Sequence, residues 1–79
     1  MQTKKDITPF NEEGEPHGYW EIYYPSGKLW FKGNYVNGKQ DGYWEWYHSN
    51  GKLMYKGNYV NDKKVGIWFD YAKELFYAN

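Results

Sequence analysis

The stretch DGYWEWYHSNGKLMYKGNYVNDKK, residues 41–64, decides the fold because it repeats HGYWEIYYPSGKLWFKGNYVNGKQ, residues 17–40. The two units align without a gap, and 15 of their 24 positions are identical. A fixed period of this length indicates a repeat protein in which each unit stacks on the next. The flanks continue the pattern imperfectly, as terminal units usually do. We therefore divide a single domain, 1–79, into a degenerate half repeat (6–16), the two full repeats and a partial capping repeat (65–79).

Each unit contains two runs rich in Tyr, Trp and Phe with turn residues between them, which is the pattern of a β-hairpin. Asn50-Gly51 between such runs predicts a two-residue type I′ turn. The register that follows pairs Tyr47 with Met54, Trp46 with Tyr55, Glu45 with Lys56 and Trp44 with Gly57, and in the first unit Glu21 with Lys32 and Trp20 with Gly33. Opposed charges, and a Trp ring over a strand glycine, both stabilise such pairs. The predicted fold is all-β, a single antiparallel meander sheet of 24-residue hairpin repeats.

Side chains alternate between the two faces of a strand, so this register defines an apolar face and a mixed face. The repeat core is expected at Trp20, Phe31, Gly33, Trp44, Tyr55, Gly57 and Trp68. The mixed face combines charges with rings, and we expect its partner-binding residues to be Tyr19, Tyr23, Trp30, Lys32, Tyr43, Tyr47, Met54 and Lys56. Such a patch would cover several hundred Å², the size that marks interaction sites.

The apolar face needs a cover, because a single sheet cannot bury its own face except by strong twist. Residues 70–79 are equally consistent with a short helix capped by Asp70 and with a shortened third hairpin. The other cover is a second copy of the chain, which makes a homodimer, or a partner protein.

Composition and charge exclude several classes of function. Lys+Arg and Asp+Glu both number 10, so the chain lacks the basic excess of a nucleic-acid binder. There is no cysteine, no signal peptide and no apolar run long enough for a membrane span, so we expect a cytoplasmic protein. Glu21 and Glu45 would lie roughly 10 Å apart beside opposed lysines, which favours ion pairs over catalysis. His17 and His48 have no companion ligands, so we predict no enzyme, no metal and no cofactor.

Two sets of residues resemble the repeat of MORN proteins, specifically the bacterial variant of YwqK-type proteins, which are described as antitoxins: Gly18, Trp20, Tyr23, Gly27 and Leu29, and their equivalents Gly42, Trp44, Tyr47, Gly51 and Leu53. The resemblance implies an elongated sheet of successive hairpins, with protein binding, dimerisation or lipid contact as functions. The chain departs from the family in having only two complete repeats. A second resemblance, of Trp44-x-Trp46-Tyr47 to choline-binding repeats, implies aromatic cages for a quaternary ammonium.

We therefore expect a protein-binding module, antitoxin-like or inhibitor-like, whose partner is a toxin or a target enzyme. The alternative is a small-ligand binder that holds a choline-like cation, a sugar or a nucleobase between stacked rings. Lipid binding ranks lower, because the sequence contains no polybasic patch.

Overall fold

A computed structural model of the protein describes residues 5–78 and contains six β-strands in one sheet. The strands are β1 (Gly18–Tyr23), β2 (Leu29–Val36), β3 (Lys39–Tyr47), β4 (Leu53–Val60), β5 (Lys63–Asp70) and β6 (Leu75–Ala78). Each strand pairs antiparallel with its neighbours in chain order. The molecule measures 37 × 35 × 10 Å, so it is a single layer. The predicted open antiparallel meander is confirmed.

The register predicted for the middle of each hairpin is also confirmed. In the second repeat Trp44 pairs with Gly57, Glu45 with Lys56 and Trp46 with Tyr55, and the first repeat has the equivalent pairs. Next to the turn the prediction was wrong. A β-bulge shifts the pairing there, so that Leu53, and not Met54, faces Tyr47.

The bulge follows from the turn, which is not the predicted type I′ turn. Gly51 has a φ of 92°, but Asn50 does not share this positive φ. The amide of Gly51 donates to the carbonyl of His48 at 2.9 Å, and the amide of His48 donates to the carbonyl of Lys52 at 2.8 Å. This is the longer hairpin loop, in which a type I turn is closed by a residue in the left-handed region. Gly27 closes the first repeat in the same way.

Type I′ turns join consecutive repeats instead. Asn37 and Gly38 both have positive φ, 47° and 84°, and Asn61 and Asp62 follow with 54° and 71°. Positive φ at both central residues is what a two-residue type I′ turn requires. The turn chemistry predicted for the interior of a hairpin is therefore found between the hairpins.

The core consists of tryptophan rings that each cover a glycine of the preceding hairpin. A β-carbon built on Gly33 would overlap the indole of Trp44, and one built on Gly57 would overlap that of Trp68. The indole N–H of Trp44 donates to the carbonyl of Asn34 at 3.1 Å, which fixes the ring over the strand. Trp44 is 1% exposed and Trp68 is fully buried, although the protein has one layer.

This arrangement corrects the expectation that each ring lies over the glycine opposite it in its own hairpin. The pairing of β2 with β3 shifts at Gly33, from Lys32 opposite Glu45 to Asn34 opposite Asp41. The shift leaves room beside the glycine, and the indole from β3 occupies it. Trp44 and Trp68 therefore each pack their own hairpin against the preceding one.

Further rings surround the two buried indoles and replace a second layer. Phe31 and Trp46 stack on Trp44 with ring centroids 5.9 and 5.4 Å away, and Tyr35 meets its edge at 5.0 Å. Tyr59 lies edge-on between both indoles and is itself buried. Such geometries add about 0.5–1.5 kcal/mol per pair beyond the burial of area.

Residues 70–78 form a shortened hairpin, so the alternative of a C-terminal helix was wrong. The carboxylate of Asp70 accepts the amides of Ala72 and Lys73, but the chain then returns as β6. Because this turn is short, Trp68 pairs with Tyr77, at the position where Trp44 pairs with Gly57. A tyrosine therefore stands where the earlier hairpins have the glycine that receives the next ring.

At the other end the degenerate half repeat (6–16) forms two isolated bridges, Ile7 to Glu21 and Phe10 to Pro16. The carbonyl of Pro9 accepts the indole N–H of Trp20 at 3.0 Å. Phe10 meets the edge of the same indole at 5.4 Å. This segment covers the first tryptophan and the free edge of β1.

We predict that Gly57→Ala lowers the free energy of unfolding by about 1–3 kcal/mol or more, because the added methyl group must displace the indole of Trp68. Urea denaturation followed by tryptophan fluorescence measures the loss. The control is a double-mutant cycle with Trp68→Ala, in which the cost of Gly57→Ala becomes small because the ring is gone. Additive costs in that cycle would contradict the contact.

Candidate functional site

The mixed face carries the candidate site. Within residues 5–78 no second layer of secondary structure covers it. Tyr19 and Tyr43, which occupy the same position in successive repeats, are 45% and 46% exposed. Exposed rings on an uncovered sheet face mark this surface as a candidate interaction site.

Each repeat organises this face around one glutamate held between two tyrosines. The hydroxyls of Tyr43 and Tyr47 donate to the two carboxylate oxygens of Glu45 at 2.5 and 2.6 Å. Tyr19 donates to Glu21 at 2.6 Å, and Tyr23 donates to its other oxygen. The arrangement arises because residues two apart in a strand point to the same side. We call each set a Tyr–Glu–Tyr clamp.

A lysine lies between the two clamps. Lys32 lies opposite both Glu21 and Glu45 in the neighbouring strands, and its ammonium is 3.5 Å from Glu45. The expected partner of Glu45 was Lys56, which faces it within the same hairpin. Among the described residues the ion pair of Glu45 instead reaches the preceding repeat, so it joins hairpins as the tryptophans do on the other face.

The clamp shifts the protonation equilibria of its members. Partial burial raises the pKa of Glu45, but hydrogen bonds from Tyr43 and Tyr47 and the charge of Lys32 outweigh it, and the net pKa lies below its ordinary value. Burial and the hydrogen bond to Glu45 raise the pKa of Tyr47 to about 12 and that of Tyr43 further. The carboxylate is thus ionised and the phenols neutral over the whole physiological range.

The remaining predicted binding residues are Trp30, Met54 and Lys56. Trp30 and Met54 occupy the β-bulges beside the turns, where Trp30 is exposed and stacks on Tyr24 with ring centroids 5.1 Å apart. Met54 and Lys56 are half-buried. The hydroxyl of Tyr24 donates to the carbonyl of Tyr47 at 2.7 Å, which ties the Trp30 stack to the second hairpin.

The third hairpin adds residues that the sequence analysis did not select. Ile67, Phe69 and Tyr71 follow Tyr43, Glu45 and Tyr47 at the repeat spacing, and Phe76 faces Phe69 across the hairpin. Ile67 and Phe76 are 60% and 65% exposed. Extension of the 24-residue alignment to the incomplete third unit would have found the first three.

On the apolar face the ammonium of Lys64 lies over three rings. It is 4.6 Å from the ring centroid of Trp68, 5.5 Å from that of Tyr55 and 6.0 Å from that of Tyr77. Such contacts contribute about 0.5–1 kcal/mol at exposed sites. The aromatic surface therefore accepts a cation, and one of its own lysines supplies it.

Other kinds of site are not formed by the described part of the chain. Residues 5–78 enclose no pocket, and they bring no three His, Asp or Glu side chains together. His17, one of two histidines, accepts the amide of Asn37 through Nδ1 at 3.0 Å and so closes the turn between repeats. No helix in this range is long and apolar enough to cross a membrane.

Comparison with protein families gives a match. The family described as MORN repeat variant matches residues 16–37 and 40–61, which together make up more than half of the chain. Neither a curated protein nor a solved structure gives a significant match. The matched segments coincide with the two full hairpins and with their tryptophans, glycines and clamps.

We predict that Glu45→Gln lowers the free energy of unfolding at neutral pH by about 1–3 kcal/mol, because it removes the charge that three donors share. A lowered folded-state pKa gives stability that is present above the ordinary pKa of glutamate and lost as the pH falls through the folded value. Urea titrations at several acidic pH values should therefore show that the free energy of unfolding falls less steeply with decreasing pH in Glu45→Gln than in the wild type. The exposed Glu12→Gln serves as control, and equal slopes in all three proteins would refute the clamp.

At alkaline pH we predict that the free energy of unfolding falls as the pH rises. The raised pKa of Tyr47 gives stability that is present below about pH 10 and lost as the pH rises toward the folded value. Tyr47→Phe should weaken this dependence, as followed by tyrosinate absorbance and denaturant midpoints. Tyr71→Phe is the matched control, because Phe69 stands there in place of the glutamate.

Proposed function

Because the chain belongs to the MORN repeat variant family, we propose that it is a non-catalytic module that binds another protein through its mixed face. The observation that carries the proposal is the uncovered row of aromatic side chains on that face, with Tyr19 and Tyr43 nearly half exposed. Tyr is enriched in the cores of protein interfaces, where it offers a large contact area and a polar tip.

The clamps support a binding role because they fix the rings in place. Both hydroxyls of each tyrosine pair are bonded to one carboxylate, so the side chains lose little further freedom when a partner covers them. Lys32 holds the second clamp against the first repeat. A prearranged surface of this kind favours occlusion of a partner over chemistry on it.

We further propose an antitoxin-like or inhibitor-like action in the cytoplasm, in which the sheet covers a functional surface of a toxin or a target enzyme. The half-exposed rings Trp46 and Tyr55 of the apolar face favour a homodimer that closes this side. The neutral net charge argues against nucleic acid and against anionic membranes as partners.

One observation favours the alternative of a small-ligand binder. The ammonium of Lys64 on the rings of Trp68 and Tyr55 is the contact that a quaternary ammonium ligand would make. We rank this function second, because small-molecule sites are usually concave and residues 5–78 enclose no pocket.

We predict that a photo-crosslinking amino acid at Tyr43 captures one defined protein from lysate of the source cell, because Tyr43 is exposed on the mixed face. The same probe at Tyr55, on the apolar face, should capture a second copy of the chain or nothing. Mass spectrometry identifies the adducts, and light scattering gives the oligomeric state.

The double variant Tyr23→Ala/Tyr47→Ala provides the control, with its fold checked by tryptophan fluorescence. It should lose the Tyr43 adduct while it keeps any Tyr55 adduct. Capture of the same foreign protein in equal yield from both faces would overturn the proposal, as would a choline-induced rise in melting temperature without any specific adduct.

A further inference from the structure

One residue from each strand lies in a continuous row across the mixed face. Each member pairs with the next across neighbouring strands, in the order Glu21, Lys32, Glu45, Lys56, Phe69, Phe76. Charges alternate over the first four strands, and two phenyl rings take their place in the last two. The third hairpin thus carries two phenylalanines where the first two carry a glutamate and a lysine.

The flanking positions change in the same direction. Ile67 replaces the clamp tyrosine of the earlier repeats, and Tyr71 remains without a glutamate to bind. The ring of Phe69 lies 4.8 Å from that of Phe76 and 5.9 Å from that of Tyr71. We call Ile67, Phe69, Tyr71 and Phe76 the C-terminal patch.

Three of the four side chains of this patch are exposed. Ile67, Tyr71 and Phe76 are 60%, 44% and 65% exposed. If each side chain has about 150–250 Å² of surface, as aromatic side chains do, these fractions leave roughly 250–420 Å² of apolar surface. A standard interface buries about 800 Å² on each partner, so the patch fits a short segment better than a stable dimer.

A lysine borders the patch without an acid of its own. Lys56 lies opposite Phe69 and is half-buried. Glu45, its neighbour on the other side, is already bonded by two hydroxyls and by Lys32. Among the described residues, the ammonium of Lys56 therefore has no ion pair, and a partner that covers the patch would have to meet this charge.

We propose that the C-terminal patch and Lys56 bind a protein segment that places an apolar side chain on Phe69 and Phe76 and a carboxylate on Lys56. The inference rests on the proposed protein-binding function and names the chemistry of the partner. Charge complementarity selects the acid, and the small apolar area selects a segment in place of a second copy. The binding surface is thereby centred on the third hairpin, beside the clamps.

The test uses the full chain and a random peptide library displayed on phage. Selected peptides should combine an aliphatic or aromatic residue with Asp or Glu. Their affinity should fall by about tenfold or more in Lys56→Gln and in Ile67→Ser. Selection on Lys56→Glu should instead enrich Lys and Arg.

Ile7→Ser is the matched control, because Ile7 is an exposed isoleucine in the N-terminal segment beside β1, at the opposite edge of the sheet. It should leave the affinity of the selected peptides unchanged. Selected peptides without an acidic preference would overturn the inference, as would a dimer that Ile67→Ser dissociates. If the protein captured at Tyr43 binds Lys56→Gln and Ile67→Ser normally, the inference fails while the proposed function stands.

Discussion

The contact between each tryptophan ring and a strand glycine of the preceding hairpin is the constraint on which this structure depends. A single layer cannot bury a core between two sheets, so it has to bury side chains against its own backbone. Gly33 and Gly57 allow this, because the absence of a β-carbon lets the indoles of Trp44 and Trp68 lie directly on the strand. The same contact joins consecutive hairpins and therefore sets the order of the whole array.

The two faces of the sheet are stabilised in different ways. On the apolar face, packing between aromatic rings stabilises the sheet, and the indoles of Trp44 and Trp68 are almost completely buried. On the other face, cohesion comes from the Tyr–Glu–Tyr clamps and the ion pair of Lys32 with Glu45, which leave ring surface exposed. The polar clamps give way to Phe69 and Phe76 in the third hairpin, so the face becomes less polar toward β6.

Much of the fold could be predicted from the repeat, because two independent units agreed on one register around Glu45 and Glu21. The turn beside Asn50 could not, since Asn-Gly suits both a type I′ turn and a type I turn closed by glycine, and only the flanking bulge distinguishes them. The position of the Trp44 ring over Gly33 was missed because it depends on a shift between strands of different repeats. Of the candidate site, the tyrosines were selected for exposure, while their bonds to glutamate required side-chain geometry.

Tyr77 has a consequence for how such a chain can change in length. Tyr77 occupies the position at which a glycine would be required to receive another indole. A further hairpin therefore could not pack beyond β6 in the way that the earlier hairpins pack on each other. At the opposite end, Pro9 and Phe10 already contact the indole of Trp20. Duplication of a unit is compatible with the packing only between the two full repeats, where both halves of the contact recur. Additional repeats are therefore compatible with this packing in the middle of the array, and the two terminal segments remain at its ends.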